Sequence, residues 1–160
     1  MNSNQVFEKE TNYNVQEAYN DDYNCMSFAL NCFEDWLEPS TFHHLGRIDS
    51  SKDFRELERL TKQCVLELQE TFELRRVRSI YDLRENEYMI AFRLSGDDFH
   101  FMRRFSDGQW YHKRGAWPIE AIDEEEVYAP LWEHRDMPYI STIFFFAVPF
   151  DYDVYDVYDI

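Results

Sequence analysis

Apolar residues recur along this chain with two different periods, and the change falls near residue 76. After Asn24, Met26, Ala29, Leu30, Phe33 and Leu37 follow at helical spacing. This predicts an amphipathic helix capped by Asn24 and closed by Pro39. After a turn at Gly46, a second helix is predicted from Ser50 or Ser51 to about Phe72. Its stripe is Phe54, Leu57, Leu60, Thr61, Cys64, Leu68 and Phe72, with Cys64 as a buried core thiol. Beyond residue 76 the period drops to two. Tyr88, Ile90, Phe92 and Leu94 alternate with Met89, Ala91 and Arg93, as in a strand. Gly96-Asp97 reads as a turn and Asp98 to Phe105 as the next strand. Ser106-Asp107-Gly108 reads as a tight hairpin with Gly108 left-handed, and Gln109 to Arg114 as the returning strand. Residues 116–136 read as loop, and Ile140 to Val148 as a strand buried on both faces. Residues 1–20, polar and Asn-rich, read as an extended arm. Helices first and a meander of strands after define an α+β class.

Composition bounds this picture. A chain of 160 residues without a Gly/Ser- or Pro-rich linker is expected to form a single domain, 1–160, ending in an acidic Tyr/Asp tail over 150–160. The longest apolar run, Ile143 to Val148, is far short of the ~18 residues of a membrane span. The N-terminus lacks the basic start and apolar stretch of a secretory signal. With three cysteines and no such signal, a reduced cytoplasmic setting is expected, the host cytoplasm if a bacteriophage encodes the chain. No Cys/His set has zinc-site spacing, and no cofactor is implied.

The net charge of -16 is lopsided. Residues 1–40 carry 8 acids and 1 base, residues 41–119 carry 13 and 14, and residues 120–160 carry 11 and 1. Such a field repels phosphate, so neither direct nucleic-acid binding nor a membrane surface is expected. The basic clusters Arg75-Arg76-Val77-Arg78, Arg103-Arg104 and Lys113-Arg114 read as local salt links to the acidic ends. Glu124, Glu125 and Glu126, with Asp151, Asp153, Asp156 and Asp159 interleaved with Tyr and Val, allow two readings. They are solvated carboxylates, or they imitate a phosphate backbone on a basic protein surface. The second describes a non-catalytic acidic binding protein, such as a bacteriophage counter-defence inhibitor.

Candidate chemistry starts at Cys25, directly after the predicted cap, where unpaired N–H groups favour a thiolate. A nucleophilic thiol needs a base, usually histidine. His43, His44 and His134 read as solvated. His100 and His112 flank the predicted hairpin, so Cys25, His100 and His112 fill the roles of nucleophile, base and base-orienter.

These residues also carry a family likeness. Asn24-Cys25-Met26-Ser27-Phe28-Ala29-Leu30 resembles the Asn-Cys-x-x-x-Ala-Leu helix start of papain-like cysteine peptidases of the NlpC-type endopeptidase branch. Asp98-Phe99-His100 to Arg104, with Asp107-Gly108-Gln109-Trp110-Tyr111-His112-Lys113-Arg114-Gly115, resembles the hairpin of bacterial and bacteriophage relatives of that branch. Tyr139 to Val148 resembles the apolar strand that ends such domains. The resemblance implies a nucleophile helix packed on an antiparallel sheet, and a thiol hydrolase cleaving a peptide or amide substrate. Cys25 would be the nucleophile, His100 the base and His112 its orienter. Asn24-Cys25-Met26 stands where the cell-wall enzymes carry Asp-Cys-Ser, so the likeness bears on the fold more than on peptidoglycan as substrate.

Overall fold

The structure, a computed structural model, describes residues 2–13, 20–45, 53–96, 98–134 and 137–158. The turns expected at Gly46 and Asp97, the helix start expected at Ser50 or Ser51, and Asp159 lie outside these residues. The elements are helices α1 (Ser3–Thr11), α2 (Cys25–Ala29), α3 (Ser40–Leu45) and α4 (Phe54–Glu70), then strands β1 (Arg75–Val77), β2 (Glu87–Leu94), β3 (Phe99–Arg104), β4 (Trp110–Lys113) and β5 (Ile119–Ile122). A short helix α5 (Glu124–Val127) and strands β6 (Trp132–His134), β7 (Met137–Tyr139) and β8 (Phe144–Pro149) follow. Six strands form one sheet in the order β1-β8-β2-β3-β4-β5, antiparallel throughout, and β6 pairs with β7 apart from it. The class is α+β. Among the described residues no helix is long and apolar enough to cross a membrane.

The period-two pattern divides the side chains of the sheet between two faces. Ile90, Phe92, Leu94, Phe99, Phe101, Phe146 and Val148 join one cluster with Leu57, Leu60, Cys64 and Leu68 of α4. Met89, Ala91, Met102, Trp110 and Ala147 join another, with Trp132 of β6 and Tyr139 of β7. Strand β8 lies between β1 and β2, which explains its apolar residues on both faces. Helix α4 is capped by Asp53, whose side chain accepts from the Glu56 N–H. Its stripe is buried as expected except at its start, where Phe54 is 52% exposed.

Several expectations are corrected. Residues 3–11 are not an extended arm but helix α1. Asn2 and Gln5 form a capping box, and Phe7 packs among Phe28, Phe105 and Tyr111. Burying such a ring is worth about 1.5–3 kcal/mol, enough to dock a polar segment that periodicity missed. The helix expected to run to Leu37 stops at Ala29, because Asn31 turns left-handed at φ 58° and the Cys32 N–H closes onto the Ser27 carbonyl. Residues 40–45 form helix α3, which carries His43 and His44 where a loop was expected. Both oxygens of the Glu67 carboxylate accept from its first residues, Ser40 and Thr41. Residues 116–136 contain β5, α5 and β6 rather than loop, and the last strand starts at Phe144, not Ile140. The turn at Ser106-Asp107-Gly108 is as expected, with Gly108 at φ 90°.

The basic clusters are corrected too. Arg103 and Lys113 of those clusters, like Arg93 of β2, are buried in the sheet and hold backbone carbonyls of other segments. Arg93 donates to Ala129, Pro130 and Tyr139. Arg103 donates to the Glu10 carbonyl and the Asn31 side chain, stacked between the rings of Tyr88 and Phe105. Lys113 donates to Asn20, Tyr23 and Gly115. Each cation fastens to the sheet a segment whose carbonyls would otherwise lose their solvation. Arg75 pairs with Glu87, a neighbour rather than an acidic end.

Candidate active site

Cys25 is the first residue of α2. Asn24 accepts from the Ser27 N–H at 3.0 Å and donates to the Leu37 carbonyl at 2.6 Å. Ser27 Oγ donates to the Asp35 carbonyl at 2.5 Å and accepts from the Leu37 N–H. Lys113 of β4 holds the Tyr23 carbonyl at 2.8 Å and lies over the Tyr23 ring. The chain on both sides of Cys25 is therefore tied down by polar contacts with the sheet and with the following loop.

Helix α2 packs on β3 and β4. These strands are paired at Arg103–Tyr111 and Arg104–Trp110, where their ladder stops. The backbone N–H groups of Phe101, Met26 and Cys25 itself lie near enough to the Cys25 sulfur to favour its thiolate form. Burial pushes the Cys25 thiol up to about 12, the charge of Asp98 adds to this, and the three amides pull the other way. The expectation of a helix-start thiolate is thus corrected for this state. Helix α2 has only five residues, and desolvation of a sulfur 5% exposed outweighs its dipole.

His100 and His112 meet. His100 Nε2 lies 2.8 Å from His112 Nδ1, with the rings perpendicular and both residues buried. Trp132 lies over both imidazoles, with centroids at 5.0 Å and 5.6 Å, and Tyr139 is 5.8 Å from His100. Strand alternation directs His100 toward Trp132 and Tyr139, while its neighbours Phe99 and Phe101 share the cluster of Cys25. Cys25 meets β3 one peptide further on, at the Phe101 amide. Its thiol nevertheless interacts with groups beside the imidazoles, because Asp98 and Tyr139 both act on it electrostatically.

Residues not singled out by sequence complete the arrangement. Asp98 accepts from the Tyr139 hydroxyl at 3.1 Å and from the Phe99 N–H at 2.9 Å. Burial raises its pKa against these hydrogen bonds. On β5, cross-strand from His112, Glu120 places Oε2 3.8 Å from His112 Nε2. The Asp98-x-His100 spacing, which puts two polar side chains on one strand face, was a readable signal for Asp98. Tyr139, Trp132 and Glu120 left none. Among the described residues no three His, Cys, Asp or Glu side chains converge as metal ligands.

The acidic residues lie elsewhere. Glu124, Glu125 and Glu126 are exposed on α5, after Asp123. Asp151, Asp153 and Asp156 are exposed, but the tail between them packs onto its own domain. Val154 is buried, the Tyr152 hydroxyl donates to the Phe72 carbonyl at 2.7 Å, and Tyr158 stacks on Phe72. The Tyr155 hydroxyl meets Asp35, and Cys32 Sγ lies 3.6 Å from it, beside a cleft of about 560 Å³. The tyrosines interleaved with the acidic tail, Tyr152, Tyr155 and Tyr158, are thus engaged within the domain itself.

The model of one protein family, a domain of unknown function designated DUF7689, matches residues 14–128, and the chain belongs to that family. The match contains Cys25, His100, His112 and Glu120, and stops before Trp132, Tyr139 and the central strand β8. No curated protein and no solved structure is detectably similar to the chain.

Proposed function

We propose that this chain is a papain-like thiol hydrolase, related to the NlpC-type branch, that cleaves an amide or peptide bond. Cys25 is the nucleophile, His100 the general base and His112 its orienter. The observation that carries the reading is the buried 2.8 Å contact between His100 Nε2 and His112 Nδ1. It orients the His100 ring through one imidazole nitrogen, and the Cys25 thiol lies within electrostatic reach of Asp98 and Tyr139 beside that ring. His100 Nδ1 takes the Cys25 proton as sulfur attacks the carbonyl carbon. The tetrahedral oxyanion is held by backbone N–H groups at the α2 start, the Cys25 amide among them. Collapse expels the amine, which receives the proton from His100, and water then hydrolyses the thioester by the same base. With Cys25 5% exposed, substrate enters through a local opening of the surrounding segments.

Iodoacetamide labelling of the intact protein at pH 7.5, read by peptide mass spectrometry, tests this. Cys25 is expected to react at least ~10²-fold faster than Cys64, and His100→Gln to remove most of that difference. Equal rates at the two thiols, or no effect of His100→Gln, would overturn it. A specific observation favours a second reading, a non-catalytic acidic binding protein on the same fold. Burial holds the Cys25 thiol near 12, while exposed carboxylates stand on α5. An inert Cys25, together with a salt-sensitive association with a basic protein, would select it.

A further inference from the structure

Resting on the roles of Cys25 and His100 above, we infer that Glu120 is a positioning residue that fixes the tautomers of the histidine pair. The 2.8 Å contact between His100 Nε2 and His112 Nδ1 holds one proton, and this proton has two possible owners. If His112 Nδ1 carries it, neutral His112 turns an Nε2 lone pair toward the Glu120 carboxylate 3.8 Å away. Neutral His100 then carries its own proton on Nδ1 and is no base there. If His100 Nε2 carries it, the His112 proton moves to Nε2, facing the carboxylate, and His100 Nδ1 keeps its lone pair. A negative charge at 3.8 Å favours the second arrangement, because it attracts an N–H and repels a lone pair. The separation exceeds a hydrogen bond, so Glu120 acts through charge rather than direct donation.

The placement follows from the sheet. His112 and Glu120 are cross-strand partners on β4 and β5, so the carboxylate is held opposite the imidazole by backbone register. Glu120 is half exposed, with a side chain 49% accessible, whereas that of His112 is 4% accessible. The result is an ordered line from Glu120 through His112 to His100. Among the described residues, charged or titratable groups near the pair include Arg93, the β2 partner of His100, Tyr139 on β7 and, through Tyr139, Asp98 before β3, with Arg114 and Cys25 acting on Asp98 or Tyr139. None of them belongs to β5, so a change at residue 120 can be separated from them.

The test uses the full chain with ¹⁵N-labelled histidine, whose long-range proton–nitrogen correlations report the tautomer of each ring. The wild type is expected to show Nε2–H on both His100 and His112 where the pair is neutral. Glu120→Lys is expected to move His112 to Nδ1–H and His100 to Nδ1–H. It should also slow Cys25 alkylation about tenfold or more, part of the ~10²–10⁴ a positioned base supplies. Glu120→Gln, which removes the charge and keeps the shape, is expected to give a mixture of tautomers. Glu124→Lys, the same change in net charge on α5, is expected to change neither readout. Unchanged tautomers in Glu120→Lys and Glu120→Gln would overturn the inference. A tautomer switch with unchanged Cys25 alkylation would uphold the role of Glu120 and sink the Cys25–His100 pairing instead.

Discussion

Cys25 and Cys64 belong to the same apolar cluster, and burial pushes both thiols up to about 12. Their surroundings then diverge. Cys64 lies mid-helix in the α4 stripe, where the Glu67 charge pushes the same way. Cys25 lies at a helix start against a strand, and three amides oppose its desolvation. Those N–H groups favour a negative charge on the sulfur, against its desolvation. Burial therefore does not distinguish the two thiols, since it pushes both to about 12. What separates them is the backbone N–H groups near the Cys25 sulfur, which Cys64 lacks among the influences on it.

The comparison breaks most severely if the anchor of Cys25 is cut. Lys113→Met leaves the carbonyls of Asn20, Tyr23 and Gly115 without their cation. The expected loss in urea unfolding is on the order of 3 kcal/mol, the scale of a hydrogen-bonded buried charge. Amide exchange is expected to rise in residues 23–30 before it rises in α4. A uniform rise across both segments would show that Lys113 stabilises the fold without positioning Cys25.

Exchanging the hydroxyl for the thiol sharpens the contrast from the other side. Cys64→Ser places a hydroxyl in an apolar stripe and is expected to cost about 1–3 kcal/mol, with Cys25 labelling unchanged. Cys25→Ser, where three amides can meet the hydroxyl, is expected to leave the melting temperature nearly unchanged and to abolish hydrolysis. Equal stability losses would mean that the two thiol environments are energetically alike.

The smallest effect concerns the carboxylate beside Cys64. Burial opposes ionisation of Glu67, but hydrogen bonds from Ser40 and Thr41 outweigh it and hold its pKa below the ordinary value. Glu67→Gln is expected to cost about 1 kcal/mol at neutral pH, as lost helix caps do. A depressed carboxyl contributes stability above its unfolded pKa of ~4.3 and loses it as pH falls through the folded value. The gap between wild type and Glu67→Gln should therefore be flat from pH 6 to 8 and close below about pH 4. A gap that persists in acid would assign the effect to packing of α3 rather than to charge.

Legibility from sequence differed from place to place. The α4 stripe, the β2 alternation and the Gly108 turn were readable because each is a local pattern imposed by a repeating backbone geometry. Asn24 was readable as a cap for the same reason, since the capping oxygen and its donor are three residues apart. Helix α1 was missed because its polar residues outnumber Val6 and Phe7, and the rings that bury Phe7 come from α2, the turn after β3, and β4. Strands β5 and β6 were missed because each is only three or four residues long and is defined by its partner rather than its own period.

The sequence by itself determined the α+β class, the mid-chain hairpin and the residue types able to act as nucleophile and base. Those follow from periodicity and from side-chain chemistry, which need no knowledge of distant contacts. Only the tertiary structure decided which sheet face each histidine takes, how close the two rings come, and that β5 brings Glu120 to His112. It also decided that Arg103 and Lys113 turn inward to backbone carbonyls instead of outward to the acidic ends. The physical reason is that hydrogen bonding and desolvation depend on what surrounds a group in space. For these residues the decisive neighbours are mostly distant in sequence, as for Lys113 and Tyr23, brought together only when β4 packs against the segment leading into Cys25.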